Sequence, residues 1–81
     1  MIELIEKLLD EAELDIVWDQ DNPDYKWVEG SEESLLKFAE LIVLECVMLC
    51  DKVYEQNDNV KIQAGATFCR EDIKEHFGVE E

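Results

Sequence analysis

The stretch from about residue 32 to residue 55 constrains the fold more than any other part of the chain, because it predicts one long and unusually apolar helix. Ser31 precedes this stretch as a favourable N-cap, and Glu32 and Glu33 follow in the first turn, where carboxylates suit the helix dipole. A strict heptad spacing, typical of helices that pack along a seam, relates Leu35, Ala39, Ile42, Cys46, Leu49 and Val53. We expect one long helix over residues 31–55.

Two further apolar stripes make this helix more hydrophobic than a one-sided amphipathic helix needs to be. They consist of Leu36, Val43, Val47, Cys50 and Tyr54, and of Phe38, Leu41 and Met48. The chain has 81 residues, which allows one small domain with few other elements to cover such a helix. We therefore expect a homo-oligomer that self-associates through this helix, with Leu41, Leu44 and Met48 at the contact.

Shorter helices are predicted on either side of the long one. Residues 2–12 repeat apolar side chains at helical spacing, with acidic residues on the other side. Residues 56–67 contain several Asn, Asp and Gly residues and are predicted to be a linker. Thr67 is then a candidate N-cap for a helix over residues 68–77, which Gly78 ends. The expected fold is a mainly α, three-helix single domain.

Residues 14–30 contain two β-prone segments on either side of a turn-forming stretch. One interpretation is a short β-hairpin between helices one and two, with Trp18 and Trp27 roughly opposite each other. The other is an irregular loop whose tryptophans fill the helical core. Aromatic side chains in such a segment also serve as binding hot spots. The candidate partner- or ligand-binding residues are Trp18, Tyr25, Lys26 and Trp27.

Residue types that perform catalysis or bind metals are present, but their spacing is unfavourable. The candidates for a zinc site are Cys46, Cys50, Cys69 and His76. Cys69 and His76 lie about 10 Å apart on one predicted helix, too far for one tetrahedral ion or for a nucleophilic pair. The acidic turn at residues 19–24 lacks the Gly and Glu positions of an EF-hand loop. We expect no enzyme activity, no metal and no cofactor.

The net charge is −15, from 22 acidic and 7 basic residues. This charge disfavours direct binding to DNA or RNA phosphates and to an anionic membrane surface. It suits either a basic partner or solubility alone. The sequence shows no secretory signal pattern and no apolar run long enough for a bilayer, so we expect a cytoplasmic protein with reduced thiols.

Two blocks of the chain resemble a widespread group of small tailed-phage accessory proteins. They are KFAELIVLEC at residues 37–46, which matches the pattern KFAELIV-x-EC, and IKEHFGVE at residues 73–80. Residues 1–30 lie outside the resemblance, and Leu44 stands where typical members carry Arg. The resemblance implies a phage origin and a location in the host bacterial cytoplasm, but no defined activity.

Three functions agree with these expectations. The first is a non-enzymatic accessory protein that counters host defence by stoichiometric binding of a host protein through an acidic surface, with nucleic-acid mimicry as one form of it. The second is an oligomeric sponge that sequesters a defence-signalling nucleotide between its helices. The third is a self-associating helical structural module.

Overall fold

The computed structural model describes residues 1–79, which are mainly helical with one two-stranded antiparallel hairpin. The elements in chain order are α1 Ile2–Glu11, β1 Asp15–Trp18, β2 Lys26–Glu29, α2 Glu32–Gln56 and α3 Val60–Phe77. The prediction of three helices, of which the central one is long, is confirmed, and of the two interpretations for residues 14–30 the hairpin is correct. The chain divides into two compact units, of which unit 1 is Met1–Leu41 and unit 2 begins at Ile42.

The end of α1 brings the core residues of unit 1 together. Glu13 has a φ of 63°, in the left-handed region, and the following Leu14 N–H donates to the Leu9 carbonyl at 2.9 Å. This is a Schellman ending, in which the residue after the turn packs on the last turn of the helix. Leu9, Ala12 and Leu14 form the buried cluster that results. Four half-buried side chains pack against this cluster: Ile5, Ile16, Phe38 and Leu41.

The hairpin has a register that differs by one residue from the predicted one. Trp18 pairs with Lys26, and Val17 pairs with Trp27. Directly opposite residues in an antiparallel pair project to the same face, and successive residues alternate. Trp18 and Trp27 are therefore not opposite each other and belong to different faces of the hairpin.

Unit 2 contains the second part of α2 and the whole of α3. The predicted linker at residues 56–67 is wrong, because α3 begins at Val60. Asn59 is its N-cap, with the side-chain oxygen accepting from Lys61 N at 2.9 Å and Ile62 N at 3.4 Å. Thr67 lies inside the helix, where its hydroxyl donates to the Gln63 carbonyl.

An ion pair joins α3 to α2 within unit 2, which has buried apolar residues of its own. Val47 is almost fully buried, and Val43, Ala66 and Val79 are also buried. Arg70 Nε donates to Asp51 Oδ1 at 2.7 Å, which links the two helices through their polar sides. Gly78 ends α3 with a φ of 67°, as predicted.

Candidate partner-binding site

The hairpin turn in unit 1 is organised by its own acidic and amide side chains. Asp19 Oδ1 accepts from Asp21 N at 2.9 Å and from Asn22 N at 3.4 Å, and Asn22 Oδ1 accepts from Asp24 N at 3.3 Å. These are Asx turns, in which a short polar side chain bonds the backbone two or three residues ahead. The acidic turn therefore has a structural role in holding the two strands in register.

The four predicted binding residues form two pairs on opposite faces of the hairpin. Lys26 Nζ lies 4.6 Å from the ring centroid of Trp18, within range of a cation–π interaction. Tyr25 and Trp27 lie on the other face with ring centroids 5.8 Å apart and an interplanar angle of 47°. Trp27 Nε1 donates to Glu29 Oε1 at 2.8 Å, which fixes the indole along the strand. The structure brings each pair together but not the four as one surface.

An apolar groove of about 350 Å³ lies in unit 1 between α1 and the hairpin. Its volume falls within the range of small ligand and side-chain pockets. Apolar side chains form most of its lining: Ile2, Ile5, Leu9, Ile16, Trp27 and Val28. Lys26 and Glu6 add one charge of each sign.

Exposure along α1 explains why the groove is open. Leu9 is 7% exposed in the core, Ile5 is half-buried one turn earlier, and Ile2 is 72% exposed at the start of the helix. The three residues share one face, because side chains four and three positions apart are neighbours on a helix. The apolar face of α1 thus extends beyond the core that it helps to form, and its exposed part lines the groove.

The α1 residues that line the groove are not among the binding residues that the sequence predicts. The helical spacing of Ile2, Ile5 and Leu9 does indicate an apolar face on this helix, and that face is longer than a small core requires. Their position beside β2, however, depends on how the hairpin folds back, and the local pattern does not contain that information.

Negative charge is concentrated in the unit that contains the groove. Residues 1–41 carry thirteen acidic and three basic side chains, a net charge of −10, whereas residues 42–81 carry nine and four. Asp15 and Glu29 lie directly opposite each other at the open end of the hairpin. Like charges in that arrangement are unfavourable. A cation bound beside them therefore relieves a repulsion that the unit itself contains.

The three residues of the predicted oligomer contact differ in how far they are exposed. Leu41 packs on the core of unit 1 and is half-buried, and Leu44 is half-buried too. Met48 is 54% exposed. Two members of the heptad stripe in unit 2, Leu49 and Val53, are also exposed, at 62% and 43%. Exposed apolar residues on α2 of unit 2 therefore belong both to the predicted contact and to the heptad stripe.

The potential metal ligands are not gathered into a site in the part of the chain that is described. Among residues 1–79, no group of three or more His, Cys, Asp or Glu side chains is arranged to hold a metal ion. Cys46 and Cys69 are exposed free thiols, and Cys50 is half-buried. No helix in the same residues has the length and hydropathy needed to cross a membrane.

Comparison of the chain with protein-family models, curated proteins and solved structures found no match.

Proposed function

We propose that the protein is a non-enzymatic binding protein that engages a basic protein partner through the acidic surface of unit 1. The resemblance to tailed-phage accessory proteins extends this proposal to a phage-encoded protein that acts in the bacterial cytoplasm by stoichiometric binding of a host protein involved in defence. A partner that normally binds nucleic acid fits the same surface, because a dense array of carboxylates presents the charge of a phosphate backbone.

The observation that carries the proposal is the coincidence of charge and apolar surface in one unit. Unit 1 has a net charge of −10 and contains the apolar groove between α1 and the hairpin. Protein interfaces combine a desolvated apolar centre with a charged rim that steers association. The nucleotide sponge draws less support, since the groove is mostly apolar and its Lys26 lies over Trp18.

Capture from bacterial lysate with matched charge variants tests the proposal. The first variant neutralises four exposed carboxylates of unit 1 that lie outside the groove lining, by Glu3→Gln, Asp10→Asn, Asp15→Asn and Asp24→Asn. The control neutralises four exposed carboxylates of unit 2, by Glu55→Gln, Asp58→Asn, Asp72→Asn and Glu75→Gln.

We expect the native protein and the unit 2 control to retain a basic protein at about 0.05 M salt and to release it at about 0.5 M, because the Debye length shortens over this range. The unit 1 variant is expected to retain about tenfold less, which corresponds to about 1.4 kcal/mol of binding free energy. Equal retention by both variants, or retention independent of salt, contradicts the proposal.

A second candidate function, self-association as a helical module, is favoured by the exposed part of the heptad stripe. Met48, Leu49 and Val53 expose apolar surface on α2 of unit 2. Sedimentation velocity at micromolar concentration tests it with Leu49→Gln, and with Phe68→Gln on α3 as an exposed apolar control. The module predicts an oligomer that only Leu49→Gln dissociates, and a monomeric native protein contradicts it.

A further inference from the structure

The outer side of β2 is an open strand edge, because the sheet in residues 1–79 has only two strands. Asp19 N–H donates to the Tyr25 carbonyl at 3.0 Å just beyond the last strand pair. Hydrogen-bonded pairs alternate with non-bonded pairs along antiparallel strands. The pairing therefore directs the backbone groups of Trp27 and Glu29 toward β1.

The same alternation directs the N–H and C=O groups of Lys26 and Val28 away from β1. Across the described part of the chain, neither residue forms a backbone hydrogen bond with another element. All four residues of β2 are exposed. These groups are thus available to a strand from another molecule, which is the requirement for β-strand addition.

The open edge and the apolar groove are adjacent. Three consecutive residues of β2, Lys26, Trp27 and Val28, line the groove. Side chains alternate between the two faces of a strand, so a lining that includes all three residues brings the groove to the main chain of β2 and not only to one row of its side chains. A chain that pairs with β2 is therefore placed beside Ile2 and Ile5 of α1, where alternate side chains enter the groove.

The charges around this edge select among extended chains. Asp15 and Glu29 are paired at one end of the hairpin, and the acidic turn at residues 19–24 lies at the other. A Lys or Arg at either end of an added strand meets carboxylates, whereas an acidic flank is repelled. A second copy of unit 1 would add another net charge of −10 and is disfavoured for the same reason.

We propose that unit 1 binds an extended segment of its protein partner by strand addition to β2, with apolar side chains in the groove and basic residues on both flanks. This inference rests on the proposed function and defines the part of the partner that is recognised. Main-chain hydrogen bonds to Lys26 and Val28 supply the register, and the groove and flanking carboxylates supply the specificity.

Fluorescence titration with short synthetic peptides tests the proposal, because Trp27 lines the groove. One probe alternates valine and threonine and carries two lysines at each end, and its control carries glutamates in place of the lysines. Amide NMR spectra of the same samples locate the bound peptide. We expect the lysine-flanked peptide to bind, to slow hydrogen exchange at the Lys26 and Val28 amides, and to exceed the glutamate-flanked peptide at least about tenfold in affinity.

Variants at Val28 separate strand addition from general electrostatic attraction. Val28→Pro removes an N–H that makes no bond to β1, so the hairpin retains its own ladder, as edge strands tolerate proline in such positions. Val28→Thr keeps the N–H and is the matched control. We expect about tenfold weaker binding of the lysine-flanked peptide for Val28→Pro and a change of less than about twofold for Val28→Thr.

Ile2→Ser provides a second variant that does not threaten the fold, because this side chain is largely exposed while it lines the groove. It is expected to weaken binding severalfold. Binding that Val28→Pro and Ile2→Ser both leave unchanged overturns strand addition but agrees with the proposed acidic binding surface. Failure of the lysine-flanked peptide to bind at low salt, or equal binding of both peptides, contradicts the inference, whereas the lysate capture with the unit 1 charge variant tests the proposed function separately.

Discussion

Lys26 and Trp18 lie directly opposite each other in the hairpin, with Lys26 Nζ 4.6 Å from the indole centroid. They form a non-hydrogen-bonded pair, the kind in which opposite side chains approach most closely. The indole holds the ammonium group over its face, and Lys26 is also one of the two charged residues that line the groove. Lys26 is thus part of the packing of the hairpin as well as a charge beside the groove.

We expect a coupling of about 0.5–1 kcal/mol between these two residues, the usual value for a cation–π pair at an exposed site. A double-mutant cycle with Trp18→Leu and Lys26→Met measures it by urea unfolding. The cycle cancels the separate effects of each substitution on the free energy of unfolding. A coupling indistinguishable from zero shows that the two groups are neighbours without a stabilising interaction.

Glu13→Gly is predicted to stabilise unit 1 by about 0.5–1 kcal/mol. Glu13 has a φ of 63°, a conformation that is unfavourable for a residue with a Cβ and accessible to glycine. Glu11→Gly, within α1, is the matched control and is expected to destabilise by about 1 kcal/mol. Urea unfolding followed by circular dichroism measures both changes, and a loss of stability for Glu13→Gly contradicts the Schellman ending.

Gly65→Ala is predicted to stabilise α3 by up to about 1 kcal/mol. Gly65 lies in the interior of the helix, and a Cβ added there meets nothing within 4 Å. The converse is expected at Gly78, whose φ of 67° makes Gly78→Ala unfavourable by about 1 kcal/mol. Thermal unfolding measures the stability of the two variants. Destabilisation by Gly65→Ala would contradict the placement of Gly65 in the interior of α3.

Asp15→Lys is predicted to stabilise the hairpin by about 0.2–1 kcal/mol. It replaces a like-charge pair with an opposite-charge pair at directly facing positions, since Asp15 lies opposite Glu29. The gain is expected to shrink as salt screens the exposed pair. Urea unfolding at low and high salt measures it, and a gain that salt leaves unaltered assigns the effect to something other than the facing charges.

Local signals in the sequence predicted the helical part of the fold well and the site less well. Ser31 and Gly78 marked helix ends correctly, because capping depends on a few adjacent residues. The sequence predicts Asn59 to be part of a linker, whereas it is the N-cap of α3. Gly65 is predicted to be a linker residue too, but it lies in α3 beside the buried Ala66, and local propensity does not include such burial.

The register of the hairpin and the position of the groove are features that the sequence does not predict. The sequence predicts both β-strands, but the observed register differs from the predicted one by one residue. Trp18 therefore lies opposite Lys26 instead of Trp27, and the two tryptophans lie on different faces. That register depends on the hydrogen bonds of the Asp19 turn. The groove depends in addition on how α1 packs against the hairpin, so it is a property of tertiary structure.

The most direct test of a basic partner at unit 1 compares the affinity of the lysine-flanked peptide for Asp15→Lys and for Glu55→Lys. Both substitutions change the net charge equally, but Asp15 lies at the end of the hairpin and Glu55 lies in α2 of unit 2. We predict about tenfold weaker binding for Asp15→Lys and a change of less than about twofold for Glu55→Lys at low salt. Equal weakening by the two substitutions would contradict the account, because it would mean that only the total charge of the protein matters.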